Sequence, residues 1–149
     1  MARSIESSAV ALCQEALARE GELWFRIDGH SMRPMLRTGD RVLIRPCTVD
    51  ALAWGDLVLL NAGDSLCLHR VIMSAGWCGS GRVNTKGDAC SRWDLPAAEE
   101  SVIGKGIAIR RGPQMLALDG MAGRLLGYAG VCVSLLLGWG LWMKWRLLS

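Results

Sequence analysis

The sequence contains no C-x-x-C pair, although it holds six cysteines, at positions 13, 47, 67, 78, 90 and 132. Their irregular spacing fits scattered free thiols better than a disulfide framework. Cys67, His69, Cys78 and Cys90 repeat no known metal-ligand spacing, so no metal and no other cofactor is expected. A clustered basic face is also missing. The 17 Lys and Arg against 14 Asp and Glu leave a net charge of only +3, which argues against a nucleic-acid partner. There is no internal repeat and no low-complexity segment. The first 21 residues lack an apolar core long enough for a signal peptide or a membrane span. Histidine is scarce, with only His30 and His69, which shortens any search for a general base.

What the chain does have is apolar character, 51% of its 149 residues with a mean hydropathy of +0.25, concentrated at the C-terminal end. Leu125–Met143 runs nineteen residues without a charge, between Arg124 and the pair Lys144 and Arg146. Tyr128, Trp139, Trp142 and Trp145 lie towards its ends. Length, charge exclusion and aromatic flanks predict a transmembrane helix. The protein is therefore expected at a membrane, single-pass through this C-terminal span, with the lipid bilayer as a partner. Basic residues are nearly balanced across the span and do not orient it.

Ahead of the span the pattern is short strands. Ile5–Ala18 reads as a helix with Ala9, Leu12, Cys13, Ala16 and Leu17 at helical spacing, Ser4, Ser7 or Ser8 as cap and Gly21 as stop. Strands are expected at Leu23–Ile27, Arg41–Arg45, Leu57–Leu60, Leu66–Met73, Arg82–Thr85 and Val102–Arg110. Turns are expected at Gly39-Asp40, Gly55-Asp56, Asn61–Asp64 and 76–81, with 90–100 irregular. The division is an N-terminal amphipathic helix (1–21), a β domain (22–113), a linker (114–124), the span (125–143) and a basic tail (144–149). The fold class is mainly β, a small barrel or folded sheet.

The candidate chemistry starts at Ser31, in Gly29-His30-Ser31-Met32-Arg33-Pro34. Glycine and proline around a serine suggest a sharp loop that holds the hydroxyl out of any strand ladder. A serine is a nucleophile only if a base reaches it. His30 is adjacent, but neighbouring side chains on an extended chain point apart. His69, within the strand Leu68–Val71, is the better base. Such a base needs an acid to fix its tautomer, and Asp88 and Asp94 both lie in one stretch that could supply it. Asp40, Asp56 and Asp64 are explained as turn residues beside glycine.

Four ordered boxes carry a resemblance. They are Gly29-His30-Ser31-Met32-x-Pro34 with Gly39-Asp40, then Gly55-Asp56-Leu57-Val58, then His69-Arg70-Val71-Ile72, then Thr85-Lys86-Gly87-Asp88-Ala89 with Asp94 beyond. A weaker fifth is Val102-Ile103-Gly104-Lys105. Over residues 23–110 the chain resembles the type I signal peptidase family, in the subtype that uses histidine as base. The resemblance implies a β-rich peptidase with Ser31 as nucleophile, His69 as base and Asp94 as the partner of His69, while Asp88 orders the loop. It implies a membrane-anchored serine endopeptidase acting on signal or leader peptides of precursor proteins, in a bacterial plasma membrane. Two features depart from the family. Gly29 and His30 stand where Ser-Gly is frequent, and the span follows the domain instead of preceding it. The first departure suits an alternative, a catalytically inactive, membrane-tethered peptide-binding relative.

Overall fold

In a computed structural model the structure describes residues 2–63, 65–73 and 81–147. Asp64 and, of the turn expected at 76–81, residues 76–80 with Cys78 lie outside the described residues. So do the side chains of Ser4, Ser7 and Ser8 and those of Trp142, Lys144, Trp145 and Arg146.

Helix α1 covers Ala2–Glu20. It stops at Gly21, whose φ of 77° suits a residue without Cβ and whose N–H donates to the Leu17 carbonyl at 2.9 Å. Val10, Cys13 and Leu17 form its buried stripe. The expected face included Ala9 and Leu12, yet both are exposed. The stripe is rotated around the helix, with Val10, not Ala9, joining the core cluster that also holds Ile27, Met32 and Leu36.

Eight strands follow: β1 (Leu23–Arg26), β2 (Arg41–Arg45), β3 (Leu57–Asn61), β4 (Leu66–Met73), β5 (Arg82–Lys86), β6 (Ala97–Ala98), β7 (Val102–Arg111) and β8 (Gln114–Ala117). All pairings are antiparallel, in the order β1-β2-β7-β3-β4-β5-β6, with β8 also on β7. β7 organises the sheet. One of its edges takes β2, while the other takes β3 at its beginning and β8 at its end. The end strands β1 and β6 do not pair with each other among the described residues, so the sheet is open and the expected barrel is not closed.

Two strands fall where none was expected. β6 lies in the irregular stretch 90–100, and β8 occupies the stretch assigned to a linker. β8 follows a tight turn at Gly112, φ 55°, and all four of its residues are exposed. With no buried face it shows no in-out alternation to read.

Both Gly-Asp turns use one device. Gly39 (φ 94°) and Gly55 (φ 88°) bend the chain, and the aspartate that follows accepts a backbone N–H three residues earlier. Asp40 accepts from Arg37 at 2.8 Å and Asp56 from Ala53 at 2.7 Å. Each carboxylate then ties its turn to β7, Asp40 through Arg111 at 2.6 Å and Asp56 through Lys105 at 2.7 Å.

Helix α2 covers Met121–Leu147 and starts four residues before the expected span. It is long and apolar enough to cross a membrane. Its geometry adds something a hydropathy pattern does not carry, because one face is packed on the sheet. Gly123, Gly127, Val131, Ser134 and Gly138 are buried at helical spacing. The missing Cβ atoms let the helix approach closely: a Cβ on Gly127 would meet the Gly55 carbonyl oxygen at 3.0 Å. Leu125, Leu136 and Trp139 project outward and are exposed.

Candidate active site

Ser31 lies in a turn after β1, half-buried. The side chains that fix this turn are Met32 and Leu36, 2% and 0% exposed, which sit in the core while the Leu36 N–H donates to the Met32 carbonyl at 2.9 Å. These two large apolar side chains anchor the turn to the core, while Ser31 stays partly exposed. Arg111 adds a clamp, donating to the Met35 carbonyl at 2.8 Å. Neither the Ser31 N–H nor its hydroxyl donates to another described group. His30 points elsewhere. It is exposed, with Nδ1 3.2 Å from the Thr38 hydroxyl.

β4 brings His69 to the same place. His69 is 8% exposed, and its Nδ1 lies 2.5 Å from Asp94 Oδ2. Asp94 is held from two sides: the Thr85 hydroxyl donates to the same carboxylate oxygen at 2.7 Å, and the Asp94 N–H donates to the Thr85 carbonyl at 2.9 Å. Burial of His69 opposes its protonation, but Asp94 and the neighbouring Cys67 thiol outweigh that and push its pKa up to about 9. Asp94 shows the complement. Burial alone would raise its carboxyl, but His69 and Thr85 hold it below the usual carboxylate range.

Ser31 and His69 meet across Gly87. A Cβ on Gly87 would lie 2.9 Å from the Ser31 carbonyl oxygen, 3.1 Å from His69 Nε2 and 2.7 Å from Cys90 Sγ. The Ala89 N–H donates to the Ser31 carbonyl at 2.8 Å. The turn after β5 thus fastens the serine loop beside the imidazole nitrogen that Asp94 leaves free. Gly87→Ala is expected to push these groups apart at a cost of about 1–3 kcal/mol, as overpacking does, and thermal melting followed by circular dichroism checks it.

Asp88 is elsewhere. It forms a two-pronged ion pair with Arg70, Nε to Oδ1 at 2.7 Å and Nη2 to Oδ2 at 2.6 Å. Both are buried, at 0% and 1% exposure, on the far side of β4 from His69. Asp88→Asn would leave Arg70 uncompensated, and about 3–5 kcal/mol of stability is expected to be lost. Thermal melting measures this, and a variant melting like the parent would refute it. Of the sequence candidates, then, Ser31, His69 and Asp94 share one site and Asp88 braces the turn that borders it. The sequence does not single out Thr85 or Gly87, and it brings up Cys67 only as a metal ligand. Thr85 and Gly87 stood inside a quoted box, and Cys67 sits two residues from His69 on the same strand, which puts both on one face.

A groove of about 230 Å³ opens beside Ser31 and is lined by residues 25–29 and by Leu66, Cys67 and Leu68. Both walls have open strand edges among the described residues, since β1 pairs only with β2 and β4 pairs with β5 only from Arg70 onward. A larger cavity of about 680 Å³ lies between β8, Met35 and Leu126 and includes none of Ser31, His69 and Asp94. Among the described residues, no three His, Cys, Asp or Glu converge as a metal site. No family model, curated protein or solved structure matches the chain.

Proposed function

We propose that this protein is a serine endopeptidase, held at a membrane by α2, that cleaves signal or leader peptides from precursor proteins. The observation that carries the reading is the His69 Nδ1–Asp94 contact with Nε2 turned to the Ser31 loop across Gly87. Ser31 Oγ attacks the scissile carbonyl as His69 Nε2 takes its proton. His69 returns the proton to the leaving amine, and then activates the water that hydrolyses the acyl-enzyme. Asp94 holds the ring in the tautomer this requires. The uncommitted Ser31 N–H is a donor for the oxyanion.

The groove supports a peptide substrate. Open edges on β1 and β4 can each hydrogen-bond an extended chain. Its volume falls below the about 300–1,000 Å³ of small-molecule sites, which suits the small side chains of an extended peptide. Outward Leu125, Leu136 and Trp139 on α2 are the surface offered to acyl chains.

A fluorophosphonate probe applied to the full chain tests the reading. Modification of Ser31, located by peptide mass mapping, is the expected result. A folded protein that stays unlabelled would favour the inactive peptide-binding relative. That second reading rests on Gly29, where nothing lies within 4 Å of an added Cβ and no side chain supplies an oxyanion donor.

A further inference from the structure

Helix α2 covers the face of β4 and β5 opposite the site. Side chains alternate along each strand, so His69 and Thr85 face Asp94 while Arg70 and Lys86 face the helix. Arg70 and Lys86 are also direct cross-strand partners. Two cations therefore lie side by side, 0% and 1% exposed. Like charges so placed repel, and each buried cation needs a full set of acceptors.

Arg70 takes Asp88 and the Gly55 carbonyl. Lys86 has no ion-pair partner among the described residues. Its ammonium donates to the Ser134 carbonyl at 2.8 Å, to Ser134 Oγ at 2.8 Å and to the Gly87 carbonyl at 3.2 Å. Two of these three bonds go to α2, at a serine that is itself 0% exposed. Gly138, one turn on, leaves room for the lysine, since a Cβ there would stand 3.2 Å from Lys86 Cε. The third bond goes to Gly87, the residue that abuts the Ser31 carbonyl and His69 Nε2.

We propose that Ser134 is a positioning residue of the proteolytic site. It acts through Lys86 on the turn at Gly87–Ala89, which makes α2 part of the catalytic body as well as an anchor. The inference rests on the Ser-His-Asp reading. It follows that the active form keeps α2 docked, because a helix lifted off the sheet strips Lys86 of two acceptors.

The test uses the full chain in detergent micelles, with the rate of fluorophosphonate labelling at Ser31 and the kcat and KM for a leader-type peptide as readouts. Ser134→Leu, which thrusts bulk against Lys86, is expected to lower kcat about tenfold or more while KM stays within about twofold, because the groove is untouched. Leu135→Ala, at an exposed position of the same helix, is expected to match the parent. Ser134→Ala is expected to lower kcat about threefold with Lys86 present and to have no further effect in a Lys86→Met background, the signature of a coupled pair. If Ser134→Leu does not fold, this cycle decides. A folded Ser134→Leu at the parent rate, or a Ser134→Ala effect of equal size with and without Lys86, overturns the proposal. Absence of labelling in the parent chain would instead remove the hydrolase reading, and this inference with it.

Discussion

Ser31→Ala is expected to reduce peptide cleavage by about 10⁴–10⁶-fold, and His69→Ala by a comparable factor. The two losses should not add in the double variant, because nucleophile and base serve one step and removing either disables both. Binding should survive, since the groove keeps its walls of residues 25–29 and 66–68. Kinetics would then show kcat collapsing while KM changes little. The fold should survive too. Ser31 is half-buried and its hydroxyl donates to no described group, so its loss leaves nothing unsatisfied. His69→Ala exposes Asp94 to the loss of one partner, but Thr85 still donates to it. A Ser31→Ala variant that cleaves within tenfold of the parent would show that the serine is a turn residue and nothing more.

Much of this arrangement was legible in the sequence, for reasons that differ from residue to residue. β2 and β4 follow period-two or apolar runs bounded by turn residues, and they begin and end where those runs do. Gly39-Asp40 and Gly55-Asp56 announce turns because glycine tolerates positive φ and a short carboxylate caps its own backbone. His69 could be named because the chain has only two histidines, whereas Ser31 and Asp94 were singled out by the ordered boxes that carry the resemblance. Their partners could not, because a threonine that steadies a carboxylate looks like any strand threonine. The helix shows the limit most clearly. Hydropathy marks Leu125–Met143 as uncharged, and by that measure every face is alike. The docking face is written in side-chain size, as Gly123, Gly127, Gly130, Ser134 and Gly138, and its purpose depends on Arg70 and Lys86, which lie more than fifty and thirty-five residues earlier. Barrel against open sheet was likewise undecidable from the strands alone, since closure depends on whether β1 and β6 meet.

Asp94→Asn separates orientation from charge. The amide can keep its place beside Thr85 and His69, but it offers the wrong hydrogen-bond partner to the ring and no charge to the imidazolium. On the proposed reading, turnover at the plateau is expected to fall by about 10⁴-fold, the scale set by the same change in known Ser-His-Asp enzymes. The pH profile should move with it. Only neutral His69 can take the Ser31 proton, and in the intact protein burial is outweighed by Asp94 and Cys67, which push the ring up to about 9. Cleavage by the parent should therefore climb through the neutral range, with its midpoint well on the alkaline side. Without the carboxylate, burial works against the imidazolium with less opposition, and the midpoint should shift to lower pH. Stability must follow the opposite limb. A folded-state pKa raised above the ordinary 6.5 stabilises the protein fully below that value, and the contribution fades as pH rises through about 9. The parent's melting temperature should thus decline between neutral and alkaline pH, and Asp94→Asn should flatten that decline. Matched rate profiles and melting curves decide the matter, and a variant whose midpoint stays at the parent's pH would show that Asp94 does not govern His69.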